Sequence, residues 1–336
     1  MKLEYTRYDL KLKHTFTISR SSRESVPVVI VKFEKDGITA LGEASPNARY
    51  DETPESVISF IDLIDREKLS DPFRLEDINK YLDSVAPGNY SAKCAIDIAM
   101  HDWIGKKLCI PLYKFFGADR LKTPVSTFTI GIDKPDAIVA KVKEAANYPV
   151  LKIKVGLPND EEIITAVRSA TDKPLRVDAN EGWKSKEEAL EKIEWLSGQN
   201  VELIEQPMPA AQLEDTRWLH ERVRIPIIAD EALSVHEIAT LSEAYDGINI
   251  KLQKNGGILK ARKFIYNARA HKMGIMLGCM IESSIGISAA AHLSPLVDWN
   301  DLDGNVLISN DPYKGAENLD GKIILSEEPG LGITPA

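Results

Sequence analysis

Three acids close short apolar runs: Asp178 ends LRVD, Glu205 ends LIE and Asp230 ends IIAD, at separations of 27 and 25 residues. Three carboxylates with no His or Cys among them select a hard divalent cation, Mg²⁺ with Mn²⁺ as the alternative, over zinc. Lysines accompany them. Lys152 and Lys154 stand at i and i+2 in LKIKV, so on a strand both leave the same face. Lys254 closes INIKLQK, 24 residues after Asp230. A metal beside a substrate carboxylate would stabilise the charge that develops when an α proton is removed. Neighbouring positive charge favours the neutral amine, so a lysine here would serve as the base. One strand-end acid commonly caps the next helix and one lysine is commonly solvated. Three acids and two lysines on one rhythm are harder to ascribe to packing.

That rhythm is about the length of one strand, one returning helix and two loops. Helical segments 186–196, 215–222, 236–244 and 258–271 fall between the apolar runs, and alternation of this kind argues for a parallel sheet. The fold class predicted is α/β: a (β/α)7β modified TIM barrel over residues 119–303, its first strand at 125–130 and its last at 297–303. Strand ends meet at one face of such a barrel, which gathers Lys152, Lys154, Asp178, Glu205, Asp230, Lys254, Asp301 and Asp303 into one bowl. Lys154 on strand two and Lys254 on strand six would face one another. Two bases so placed remove a proton from one side of a carbon and return it to the other. Asn180, Glu231 and Lys251 stand beside these residues as orienting or charge-balancing side chains.

Residues 1–118 lack the rhythm and read as an α+β capping domain. Strands are expected at 3–13, 26–33 and 38–42, with a polar loop, SRSSRES, at 19–25. Helices are expected from Thr53, over 76–84, and from a Ser91 cap to Lys107. The tail, 304–336, is expected to return to the cap.

Composition narrows the partners. A formal net charge of −9 with no Lys/Arg-dense block argues against nucleic acid and anionic membranes, leaving small molecules. No apolar run reaches membrane-spanning length, and MKLEYTRYDLKLKH has no signal-peptide core. Cys94, Cys109 and Cys279 lack metal-site spacing and read as reduced core thiols, which predicts a cytoplasmic protein. Assembly into a homo-oligomer is left open.

The runs LKIKVG, RVDANEGW, LIEQP, IADEAL and NIKLQKNGG, in that order, resemble the muconate-lactonising branch of the enolase superfamily. AIDIAMHDWIGK at 95–106 looks like that family's cap helix, so the likeness covers nearly the whole chain. The resemblance implies Mg²⁺ held by Asp178, Glu205 and Asp230, with Lys154 and Lys254 as the acid/base pair. Asp301-Leu302-Asp303 resembles the D-x-D motif with which dipeptide epimerases hold the substrate's α-ammonium group. Two acids at i and i+2 do point the same way and make a seat for a cation. The stretch 278–293 is similar to the epimerases' strand-seven region, implying substrate contacts at Cys279, Met280 and Ile281. Lys152 joins the substrate-side residues, as a partner that tunes Lys154. An arginine in the 19–25 loop resembles the L-Ala-D/L-Glu epimerases, where it receives the glutamate side chain; Arg20 and Arg23 are both candidates. The expectation is a Mg²⁺-dependent epimerase of the C-terminal residue of a dipeptide, L-Ala-D/L-Glu preferred, in muropeptide recycling. Competing readings are an epimerase for other dipeptides, an o-succinylbenzoate synthase or cycloisomerase, a Schiff-base aldolase using Lys154, and a carboxylate-binding barrel without turnover.

Overall fold

A computed structural model describes residues 1–336. The N-terminal strands β1 (Lys2–Ile18), β2 (Ser21–Lys35) and β3 (Ile38–Ala44) form an antiparallel meander. The polar stretch expected to be a loop is strand instead. After a register shift between Lys11 and Phe16, pairing resumes as Phe16↔Arg23, Thr17↔Ser22 and Ile18↔Ser21, leaving only Ser19 and Arg20 as the turn. The backbone ladder and a Thr17–Ser22 hydroxyl contact of 2.9 Å hold this tip, so its polar composition misled.

Helix Pro54–Asp62 starts with a reciprocal capping box between Thr53 and Ser56. The buried helix Tyr90–Lys107 does not start on a Ser91 cap: Asn89 adopts φ 52°, and Ser91 gives its N–H and hydroxyl to Glu52. Its Asp97 accepts from the N–H groups of Ile258 (2.6 Å) and Leu259 (3.2 Å), capping helix Ile258–Ala270 of the barrel. Gly257 is required there, since φ is +108° and a Cβ would meet the Asp97 carboxylate at 2.5 Å.

Eight parallel strands follow in sequential order: β4 (Phe128–Ile130), β5 (Leu151–Lys154), β6 (Leu175–Asp178), β7 (Val201–Glu205), β8 (Ile227–Ala229), β9 (Gly247–Lys251), β10 (Gly274–Gly278) and β11 (Trp299–Asp301). A helix follows each strand except the last, giving the (β/α)7β barrel. Lys254 is not on its strand, as the sequence suggested, but on the single helical turn Leu252–Asn255 after β9. No ladder joins β11 to β4. Side chains bridge that seam instead: Asn300 donates to the Pro124 carbonyl (2.7 Å), the Leu302 N–H to Ser126 Oγ (2.8 Å), Thr127 to Asp301 (2.6 Å) and the Thr129 N–H to Asp303 (2.6 Å).

Sixty buried apolar residues form the barrel core and 19 form a separate one between the cap sheet and its helices, so each part has its own interior. The tail serves both. Ile308 bridges Leu12 and Ser309 donates to the Lys11 carbonyl on β1, whereas Ile323, Leu325 and Leu331 join the barrel core.

Candidate active site

Register sets the floor of the site. Lys154 pairs with Asp178 and Asp178 with Glu205 across β5, β6 and β7, while Gly278 is level with both Lys251 and Asp301. Gln206, at φ 38°, turns its amide oxygen onto the N–H groups of Asp230 (2.9 Å) and Ala232 (3.0 Å), tying the end of β8 to β7. Above this floor lies a cavity of about 340 Å³ between barrel and cap. Lys152, Lys154, Asp230, Lys251, Asp301 and Asp303 open into it, as do Cys279, Met280 and Ile281. Asp178, Glu205 and Lys254 lie behind its wall, each no more than 2% exposed. Of the two lysines expected to confront each other, Lys154 reaches the cavity and Lys254 is folded back. Lys251 occupies the wall on that side.

The carboxylates and lysines alternate. Lys152 Nζ bridges Asp301 (2.5 Å), Glu205 (2.7 Å) and Asp178 (3.1 Å), and Lys154 Nζ bonds Asp178 at 2.6 Å. Lys251 Nζ lies 2.7 Å from Asp230 and 3.8 Å from Glu205, and Lys254 Nζ bonds the carboxylate and the carbonyl of Asp230. Burial alone would lower both Lys152 and Lys251, but the surrounding carboxylates outweigh it and hold them well above an ordinary lysine. Lys254 goes the other way: burial lowers it, and Asp230, already balanced by Lys251, cannot compensate fully. Glu205 is pushed up to about 8 by burial and by the facing charge of Asp178.

In this structure the three acids are paired with lysines: Asp178 with Lys152 and Lys154, Glu205 with Lys152, and Asp230 with Lys251 and Lys254. Their oxygens are turned onto ammonium groups. The donor set fits a hard cation: it is buried, all oxygen and on adjacent strand ends. Asp178, Glu205 and Asp230 would be the residues to hold it.

At the opposite edge, Asp301 is held below its ordinary value because Lys152 outweighs burial. Asp303 has no cationic partner; burial and Asp301 push it up to about 6. Cys279 donates to the Asp301 carbonyl at 3.3 Å, so its thiol braces the acid pair. Of the three cysteines, only Cys94 is buried; Cys109 is exposed at φ 57° just past helix Tyr90–Lys107.

The two arginines of the hairpin tip differ. Arg20 is committed, with Nη1 on the Asn180 carbonyl (2.8 Å) and Glu181 (3.0 Å) and Nη2 on Glu231 (2.7 Å). Arg23 lines the cavity and forms no ion pair. Asn180 and Glu231 therefore orient the roof as well as the floor: Asn180 also donates to Glu231 at 3.4 Å, and its N–H bonds Asp178 at 2.9 Å. Sequence reasoning missed Arg49 and Tyr50, which line the cavity from the loop after β3, and the seam residues Thr127 and Thr129. Only the tertiary structure reveals them, because Asn47–Tyr50 carries neither periodicity nor a motif.

Comparison with known proteins agrees with this geometry. Residues 3–117 match the family described as mandelate racemase/muconate lactonizing enzyme, N-terminal domain, and residues 137–336 the one described as enolase C-terminal domain-like. An L-Ala-D/L-Glu epimerase of Bacteroides thetaiotaomicron is 48% identical over 335 residues, covering 99% of this chain and 88% of its own. An L-Ala-D/L-amino acid epimerase of Pedosphaera parvula is 44% identical over 94% of this chain and 93% of its own. Among solved structures, a dipeptide epimerase of Enterococcus faecalis, complexed with Mg and L-Leu-L-Tyr, superposes with a TM-score of 0.91 at 32% identity, covering 99% and 98% of the two chains. These matches establish that the chain belongs to the mandelate racemase/muconate lactonizing enzyme family and is an isomerase of the racemase/epimerase class.

Proposed function

We propose that the chain is a Mg²⁺-dependent dipeptide epimerase that inverts the α carbon of the C-terminal residue, with L-Ala-D/L-Glu as the preferred substrate. One observation carries the substrate class: Asp303 is a buried carboxylate that opens into the same cavity as Lys154 and has no cationic partner. An N-terminal ammonium group, which a dipeptide brings and an N-acylated or ring-closing acid does not, supplies the missing charge. The names of the relatives support the same class.

In this reading Asp301 and Asp303 hold the ammonium group, and the peptide runs toward Lys154. The wall formed by Cys279, Met280 and Ile281 flanks it. Lys154 takes the α proton from one side, its amine released from Asp178. Lys254, once released from Asp230, returns a proton from the other side, and its lowered proton affinity suits an amine that both gives and takes a proton. When bound by Asp178, Glu205 and Asp230, Mg²⁺ or Mn²⁺ supplies positive charge beside the substrate carboxylate and so lowers the cost of removing the α proton. Lys152 and Lys251 stand among those acids and offset two of their three charges.

Arg23 receives the glutamate side chain, since Arg20 is spent on Glu181 and Glu231. The expected setting is recycling of cell-wall muropeptide in the cytoplasm. NMR in D₂O tests the proposal. L-Ala-L-Glu with enzyme and Mg²⁺ should lose its Glu α-proton signal while L-Ala-D-Glu appears. If no member of a dipeptide library exchanges, the substrate class is wrong.

A further inference from the structure

We propose that Glu181 is the latch that holds both roof segments over the cavity, a positioning residue acting through Arg20 and Arg49. Its carboxylate takes four donors from three parts of the chain. Oε2 accepts from Arg20 Nη1 (3.0 Å) and Arg49 Nε (2.8 Å); Oε1 accepts from Arg49 Nη2 (2.9 Å) and the Ala210 N–H (2.9 Å). Arg20 belongs to the β1–β2 tip and Arg49 to the loop after β3, so one acid fastens two segments that are remote in sequence. Both arginines line the cavity and Glu181 does not, so it reaches the ligand only through them.

The backbone is shaped for this task. Asn180 and Glu181 adopt φ of 45° and 64°, left-handed values that side chains other than glycine take up only where their surroundings enforce them. That turn swings Glu181 from the end of β6 toward the cap and leaves the Asn180 carbonyl facing Arg20 and Ser19.

The hairpin tip keeps other ties, Arg20 to the Asn180 carbonyl (2.8 Å) and Glu231 (2.7 Å) and Ser19 to the Asn180 carbonyl (3.2 Å). The remaining hydrogen bonds of the Arg49 segment to the barrel start at Ser45 and Asn47. Thr17 O accepts from the Ile132 N–H, and Ser45 bonds Gln253 and the Ile281 carbonyl. Without the latch the Arg49 segment is freed most, and the hairpin tip, still tied to Asn180 and Glu231, loosens less. Arg23, paired with Phe16 one short step from the turn, shifts with its tip. Substrate affinity is then lost in preference to chemistry, because Lys154 and Lys254 stand on the barrel.

The test has two arms, and only the second rests on the dipeptide reading. In the first, trypsin reports the exposure of Arg20, Arg23 and Arg49 in the intact, ligand-free chain. Glu181→Gln should speed nicking about tenfold at Arg49 and by less at Arg20 and Arg23, since cleavage follows the population of the open form. In the second, Glu181→Gln should raise KM for L-Ala-L-Glu about tenfold and leave kcat within about threefold, with Glu181→Asp recovering part of the loss. Nicking at the wild-type rate, or a fall in kcat at unchanged KM, overturns the latch. If the wild-type chain turns over no dipeptide, the substrate reading fails and the nicking arm still decides. Should Glu181→Gln not fold, Glu181→Asp, which shortens the reach to both arginines, is read by the same nicking assay.

Discussion

The floor and the roof of the cavity are built by opposite rules. The charged side chains of the floor sit on or just beyond barrel strands, all but those of β11 on strands whose register is fixed by neighbours on both sides, and each cation there touches a carboxylate. The roof is a hairpin tip and a loop, with Leu12, Phe16, Ile18 and Arg23 facing the cavity and only a few polar ties to the barrel. The floor has the rigidity that proton transfer over short distances requires. The roof, on loops, has fewer such ties. On the proposed function, chemistry falls to the floor and selection to the roof.

Breaking the floor should cost most. Lys154→Ala and Lys254→Ala are each expected to lower epimerisation of L-Ala-L-Glu by about 10³-fold, read by NMR in D₂O. The outcome also tests the folded-back position of Lys254: a variant that keeps more than about a tenth of the rate removes that lysine from the chemistry.

The ammonium seat comes next. Asp303→Asn should raise KM for dipeptides about 30-fold, the loss expected for a charge-assisted contact. An N-acetylated amino acid should show no such penalty. Since burial and Asp301 push Asp303 up to about 6 and it must be ionised to attract an ammonium group, kcat/KM in the wild-type chain should fall as pH drops through about 6. A flat acid limb would place the ammonium group elsewhere.

Substitutions in the roof should act on selection. Arg23→Gln is expected to weaken kcat/KM about tenfold for L-Ala-L-Glu and to leave L-Ala-L-Leu unchanged. Arg20→Gln should weaken both alike, because its partners are protein carboxylates. If the two arginines exchange these signatures, their roles are exchanged.

The smallest effect is expected where roof and floor join. Glu43 bonds Ser283 through both oxygens, and Glu282 accepts from Gln253 at 2.9 Å, behind the cavity wall. Burial pushes these carboxyls up to about 8 and about 7 from an ordinary 4.5. Each binds its proton more tightly in the folded chain than in the unfolded one. The stability they contribute is complete below about 4.5 and is lost as pH rises through 7 and 8. Glu282→Gln should flatten this slope, and thermal midpoints between pH 6 and 9 should differ by about 2–4 °C less than in the wild type.

The same division explains what could be read in advance. Asp178, Glu205, Asp230 and Lys154 were legible because a barrel repeats one short unit, and each unit delivers its last strand residue to the same rim. Lys254 was legible as a residue but not as a position: the chain leaves β9 in a helical turn, and nothing in INIKLQK marks where strand stops. Arg20 and Arg23 could not be told apart, since both are arginines in one polar stretch and differ only in what lies opposite. Arg49 and Glu181 had no signal at all.

The sequence by itself determined the alternation of strand and helix, and with it which charges share a rim, because hydrophobic period and spacing act locally. Tertiary structure alone decided which of those charges are spent on each other and which remain for a ligand. Pairing of that kind depends on distances between segments far apart in the chain, and only packing brings them together.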